Sequence, residues 1–142
     1  MEQRVSLITL GTLDMERSSA FYDALGWNRV DTQDGVIAYD LLGQTLGLYP
    51  LEKLAEDIGL DVAELGAGRS TLGYNCREKS QVDEVMNAAK RAGAKVLRPA
   101  SAVFWGGYNG YFADPDGHIW EVAHNPFSPL REDGAFRWNG HS

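Results

Sequence analysis

Hydrophobic and polar positions fall along the chain in two stretches that read alike. Val5 to Leu10 is aliphatic and β-branched, which suits a strand. Asp14 then suits a helix N-cap, and a helix is predicted from Met15 to Leu25, closed by Gly26. Its stripe is Met15, Ser18, Ser19, Tyr22 and Gly26, with Phe21 and Leu25 beside it. Short strands come next, near Trp27–Asp31, Val36–Leu41 and Thr45–Tyr49, with turn signals at Gln33-Asp34-Gly35 and Gly43-Gln44. Ser70 to Cys76 opens the same order again. Ser80-Gln81-Val82-Asp83 has the form of a capping box, Val82, Val85, Met86 and Ala89 keep helical spacing, and Gly93 closes the helix. Strands are predicted near Lys95–Pro99, Val103–Trp105, Tyr108–Ala113 and Ile119–His124.

The caps Asp14 and Ser80 lie 66 positions apart and the closing glycines Gly26 and Gly93 lie 67 apart. An offset kept to within one residue argues for a duplicated β-α-β-β-β unit. The predicted class is α+β: two tandem modules, 5–50 and 69–124, forming a curled, cup-shaped mixed sheet with helices outside. Together they make a single domain, 1–142, with a helical linker over 51–68 interrupted at Gly59 and a C-terminal tail over 125–142. Phe127, Phe136 and Trp138 suggest that the tail lies along the body or across a partner subunit.

The run Asp114-Pro115-Asp116-Gly117 suits a tight turn, and the residues after it alternate. Ile119, Glu121 and Ala123 share one face; His118, Trp120, Val122 and His124 share the other. An acid among aromatic and β-branched neighbours needs water, a partner or a ligand. Glu121 therefore faces either solvent or a pocket.

Composition narrows the field. The 142 residues carry 13 Lys and Arg against 20 Asp and Glu, a net charge of −7, with a pI near 4.8. Nucleic acid and anionic membrane both call for a basic footprint, so neither is expected as partner. Cys76 is the sole cysteine, which precludes an intrachain disulfide; its apolar run suits a small buried hydrophobe. No signal peptide or membrane-spanning stretch is visible, and a cytoplasmic location is expected.

The segments Asp14-Met15-Glu16-Arg17-Ser18-Ser19-Ala20-Phe21-Tyr22 and Leu25-Gly26-Trp27 join Gly106-Gly107-Tyr108 and Tyr111-Phe112-Ala113-Asp114-Pro115-Asp116-Gly117-His118-Ile119-Trp120-Glu121 in a recognisable order. Over residues 5 to 124 this pattern resembles the glyoxalase / bleomycin-resistance / extradiol-dioxygenase superfamily, the vicinal oxygen chelate proteins. In its metal-dependent members, the resemblance implies four inward-facing ligands from the first and last strands of each module. Mapped onto this sequence, those positions are Leu7, Gly47, Thr71 and Glu121. Only Glu121 is a good ligand, whereas a catalytic divalent ion normally takes about three. His118 and His124 oppose Glu121 in parity, and His141 stands next to the terminus.

The resemblance therefore implies a small-molecule-binding protein with no metal or other cofactor. The expected ligand-facing residues are Leu7, Thr9, Tyr39, Gly47, Tyr49, Thr71, Gly73, Trp105, Tyr111 and Glu121, with Glu121 the candidate for any catalytic role. Bleomycin-resistance proteins, which sequester a drug without chemistry, are the precedent for an apolar or aromatic ligand. Two other readings stay open. One is a metal-dependent lyase, isomerase or dioxygenase of the same superfamily. The other is an interaction module whose cup is filled by its own tail. A homodimer is expected, because open sheet edges invite pairing.

Overall fold

The computed structural model of the chain describes residues 1–32, 35–66 and 68–140. The predicted turn residues Gln33 and Asp34, and His141, lie outside the described residues. The chain is α+β, with a three-stranded and a four-stranded sheet, and divides into two compact units, Met1–Ala67 and Gly68–Ser142.

The first unit runs β1 (Leu7–Thr12), α1 (Met15–Ala24), β2 (Ile37–Asp40), β3 (Thr45–Pro50) and α2 (Leu51–Ile58). The sheet order is β1-β3-β2, with β1 parallel and β2 antiparallel to β3. A parallel return needs a crossover, and α1 supplies it. Asp14 caps α1, its side chain accepting from the Arg17 amide at 2.9 Å. The helix buries Ser18, Ser19, Phe21 and Tyr22, and Leu46 and Leu48 of β3 are fully buried. α2 ends at Gly59, whose φ of 84° is the left-handed cap that glycine accepts without strain.

The expected strand near Trp27–Asp31 reduces to one bridge, Val30 to Ala38. Trp27 turns inward instead, stacking on Tyr22 with centroids 5.4 Å apart and meeting Tyr39 at 5.8 Å. The segment packs as a loop through this ring instead of pairing along its length.

The second unit has the complete order: β4 (Leu72–Asn75), α3 (Lys79–Arg91), β5 (Lys95–Ala102), β6 (Tyr108–Ala113) and β7 (Ile119–His124). Its sheet order is β4-β7-β6-β5, with only the β4–β7 pair parallel. α3 buries Val82, Met86 and Ala89 on the sheet side that holds Phe112, Trp120 and Val122. The Phe112 and Trp120 rings stack at 6.3 Å.

Two expectations change here. The cap of α3 is Glu78 rather than Ser80: Gln81 at the third helical position accepts from the Glu78 amide at 3.3 Å and from the Arg77 amide at 2.8 Å. Gln81 takes the place of Asp83 in the capping box, two residues earlier. Val103–Trp105 is a turn, not a strand, with the Gly106 amide donating to the Val103 carbonyl at 3.0 Å. β5 absorbs the strand length instead, running through Pro99 to Ala102 with two register shifts. Pro is tolerated there because β5 is an edge strand. Among the described residues, no helix is long and apolar enough to cross a membrane.

Candidate functional site

The turn before β7 sets the phase of the whole site. Asp114 Oδ1 accepts from the amides of Asp116 and His118, both at 2.9 Å, and the Gly117 amide closes on the Asp114 carbonyl at 3.0 Å. β7 leaves this turn with Trp120 and Val122 buried on the α3 side. Strict alternation then puts Glu121 and Ala123 on the opposite face. Register places Gly73 of β4 and Tyr111 of β6 beside Glu121, and Asn75 and Asn109 beside Ala123. The face away from α3 is thus a row of small and polar residues.

A directed network crosses that row. Arg98 of β5 donates from Nη2 to the carbonyl of Asn109 at 3.3 Å and to its side-chain oxygen, and from Nη1 to Ser101 Oγ at 3.3 Å. With its oxygen engaged, the Asn109 amide must present Nδ2 the other way, and it donates to Glu121 Oε1 at 3.0 Å. The Arg98 guanidinium also lies over the Tyr111 ring, 5.2 Å from its centroid. Burial pushes the Tyr111 phenol above its ordinary range, the Glu121 carboxylate pushes it further, and Arg98 opposes both.

The tail turns this face into a pocket. Asn75, Glu121 and Ala123 line it from the sheet; Trp105 comes from the β5–β6 turn, and Phe127, Phe136 and Trp138 from the tail. Its volume is about 510 Å³. Trp105 folds back across its own turn: a Cβ at Gly107 would come within 1.9 Å of the indole, so only glycine fits. Arg77, just past β4, holds the tail in place, donating to the carbonyls of Arg131 and Glu132 at 2.9 Å and of Leu130 at 3.5 Å. Buried Ser128 accepts from the Asn139 amide at 2.9 Å. Phe136 and Trp138 meet edge to face at 6.1 Å.

Of the residues singled out from sequence, Glu121 and Trp105 line this pocket. Gly73 and Tyr111 flank Glu121 on the same face. Thr71 is exposed and precedes β4. In the first unit, Leu7, Thr9, Gly47 and Tyr49 share one face of their sheet, because Thr9 pairs with Gly47 and Tyr49 with Gly11. Tyr39 does not join them. It pairs with Leu46, so it points to the α1 side, where it is 1% exposed and donates to Asp23 Oδ1 at 2.8 Å and the Ser19 carbonyl at 3.1 Å. Burial and Asp23 together raise its phenol far above the usual range. Tyr39 is a core residue, one step out of phase with the ligand-facing set.

Sequence reasoning missed Asn109 and Arg98. The parity of Asn109 with Tyr111 was the available signal; the stacking of Arg98 had none in a single chain. Cys76 is buried, and burial pushes its thiol up to about 11, as suits a packing residue. His124 Nδ1 lies 3.3 Å from the Cys76 carbonyl, so that ring serves the backbone.

The donor set does not fit a resident divalent metal. Among the described residues, no three His, Cys, Asp or Glu side chains come together. The neighbours of Glu121 along its face are a glycine, a phenol, amides and an alanine, none an anionic or imidazole ligand.

Comparison with known proteins agrees with this architecture. The profile of the Glyoxalase/Bleomycin resistance protein/Dioxygenase superfamily matches residues 4–122. A glyoxalase-related enzyme from Fulvimarina pelagi is 38% identical, covering 96% of this chain and 99% of its own, with a TM-score of 0.88. A glyoxalase/bleomycin resistance protein/dioxygenase family enzyme from Burkholderia phytofirmans PsJN shares the fold at 20% identity, covering 84% of this chain and 96% of its own, with a TM-score of 0.74. Lactoylglutathione lyase from Agrobacterium tumefaciens does so at 21% identity, covering 88% and 96%, with a TM-score of 0.66. No protein of curated function matches the chain. With the profile spanning most of its length and a relative this similar, the chain belongs to the glyoxalase/bleomycin resistance protein/dioxygenase superfamily.

Proposed function

We propose that this chain is a glyoxalase-like small-molecule-binding protein of the cytoplasm that holds an apolar or aromatic ligand without a catalytic metal. Sequestration of the bleomycin-resistance kind is the nearest precedent. The observation that carries this reading is the pocket of about 510 Å³ between the Glu121 face and the aromatic tail. That volume falls within the range of small-molecule sites, and aromatic walls with a few polar groups are the usual lining. Leu7, Thr9, Gly47 and Tyr49, which share one face of the first sheet, are proposed as further ligand-contacting residues.

Trp105 and Trp138 line the pocket, so ligand entry should change tryptophan fluorescence. A screen of aromatic small molecules by that signal, with metal analysis of protein purified without chelator, tests the reading. Saturable binding with no stoichiometric metal supports it; a tightly held divalent ion at Glu121 ends it. The two units are proposed as halves of one domain, and the chain as a homodimer; coincident unfolding transitions and gel filtration check these.

A second reading, a lyase, isomerase or dioxygenase, is favoured by the 38%-identical relative being a glyoxalase-related enzyme and by Glu121 itself. Turnover of hemithioacetals or catechols after addition of Ni, Zn, Fe or Mn would establish it.

A further inference from the structure

The pocket lining carries a single formal charge. Of the residues around it, Glu121 alone is acidic, and none is Lys, Arg or His. The remaining polar groups there are neutral amides and a hydroxyl, and four aromatic side chains make up most of the wall. Arg98 is the nearest basic side chain in the network, but its guanidinium is directed at Asn109, Ser101 and the Tyr111 ring rather than into the pocket. The chain of bonds from Arg98 through Asn109 ends on Glu121 Oε1 and so orients the carboxylate, with the neutral Tyr111 phenol beside it, while no basic side chain neutralises its charge.

A carboxylate set among aromatic walls discriminates by charge. An anion meets like charge in a partly desolvated site. A neutral apolar molecule gains ring contact but brings the carboxylate no counter-charge. A cation with an apolar body gains both, since ring faces attract positive charge within about 6 Å of their centroids. The net charge of −7 favours the approach of the same class. The aromatic side chains stand ready at the rim: Trp138 is 73% exposed and Phe127 64%.

We infer that the pocket selects a small organic ammonium ion, an amine carrying an aromatic or aliphatic body, with its charge on Glu121 and its body against Trp105, Phe127 and Trp138. This deepens the binding reading above and rests on it.

The test uses three probes of one shape and different charge: 2-phenylethylammonium, 2-phenylethanol and phenylacetate. Tryptophan fluorescence and calorimetry on the full chain read their binding near neutral pH. The ammonium should bind at least tenfold more tightly than the alcohol, phenylacetate should not bind, and added salt should weaken the ammonium alone. In Glu121→Gln, which keeps an oxygen for Asn109, the ammonium should fall to the level of the alcohol. If the alcohol or phenylacetate equals the ammonium in the unsubstituted protein, or if Glu121→Gln leaves the preference intact, the charge assignment is overturned while small-molecule binding stands. If no probe of any charge binds, the pocket reading falls and this inference with it.

Discussion

The two modules share one side of their sheets and differ on the other. In both, a crossover helix buries a compact stripe against the sheet: Phe21 and Tyr22 of α1 in the first, Val82 and Met86 of α3 in the second. The opposite faces have diverged. In the first, a Cβ at Gly11 would lie 2.6 Å from Leu51, so α2 closes on the end of the sheet, and the rest of the face mixes Leu7, Ala38 and Gly47 with Thr9, Thr45, Tyr49 and Asp40. In the second, Asn75, Asn109, Tyr111 and Glu121 make the face polar, and the tail supplies an aromatic cover. The helix side answers to close packing and has the same character in both modules. The other side is free of that constraint, and in the second module it carries the polar network of Arg98, Asn109 and Glu121.

The largest effects test the shared side. Leu46→Ala in the first module and Val122→Ala in the second each remove a side chain with no exposure. The leucine should cost about 3 kcal/mol and the valine about 2 kcal/mol in denaturant unfolding. Leu7→Ala, on the other face at 55% exposure, should stay within about 0.5 kcal/mol. Cys76 offers an independent readout, since its buried thiol should label slowly at mild alkaline pH until the second module opens. If both modules belong to one domain, Leu46→Ala should accelerate that labelling as much as Val122→Ala does at matched stability. A Leu7→Ala loss as large as that of Leu46→Ala would break the distinction between the faces.

How much of this could be read in advance obeys the same divide. Period-two parity placed Trp120 and Glu121 on opposite faces correctly, because the Asp114-Pro115-Asp116-Gly117 turn fixes where β7 starts. The same rule would have rejected Tyr39: with Gly47 on one face and Ala38 paired to it, Tyr39 must face α1. The Glu78 cap was hidden because Ser80 is the commoner cap residue, and the choice rests on where Gln81 reaches. The tail was legible as aromatic but not as a pocket wall. Its position depends on Arg77 meeting carbonyls more than fifty residues away, which no local pattern encodes.

That clamp belongs to the second module alone and predicts a more local effect. Arg77→Ala removes donors to three carbonyls, but the side chain is exposed, so global stability should fall by only about 1 kcal/mol. Amide exchange over 128–140 should rise well before that of β1 and β3, and tryptophan emission should shift as Trp138 loosens. Arg77→Lys, with a charge but no fork, should recover little. Uniform exchange across the chain would mean that the cover is held by its aromatic contacts instead.

The smallest effect lies on the helix side of the first module. Asp23 on α1 accepts from Arg29 Nε at 3.0 Å and Nη2 at 2.5 Å, and from the Tyr39 hydroxyl at 2.8 Å. The Arg29 bond, mainly, and then Tyr39 hold its carboxyl below the usual Asp range against an opposing push from burial. A carboxylate whose folded pKa is depressed contributes stability that is full above its unfolded value, near 4, and that fades as pH falls through the folded one. Stability should therefore decline on acidification below about pH 4, and Asp23→Asn should flatten that decline while leaving Tyr39 a hydrogen-bond acceptor. Both partners are part-exposed, so salt should shrink the difference. An acid limb unchanged by Asp23→Asn would mean that the Asp23 charge adds nothing to this side of the first sheet, which is then held by the packing of Tyr39 against Tyr22 and Trp27 and by its hydroxyl bonds.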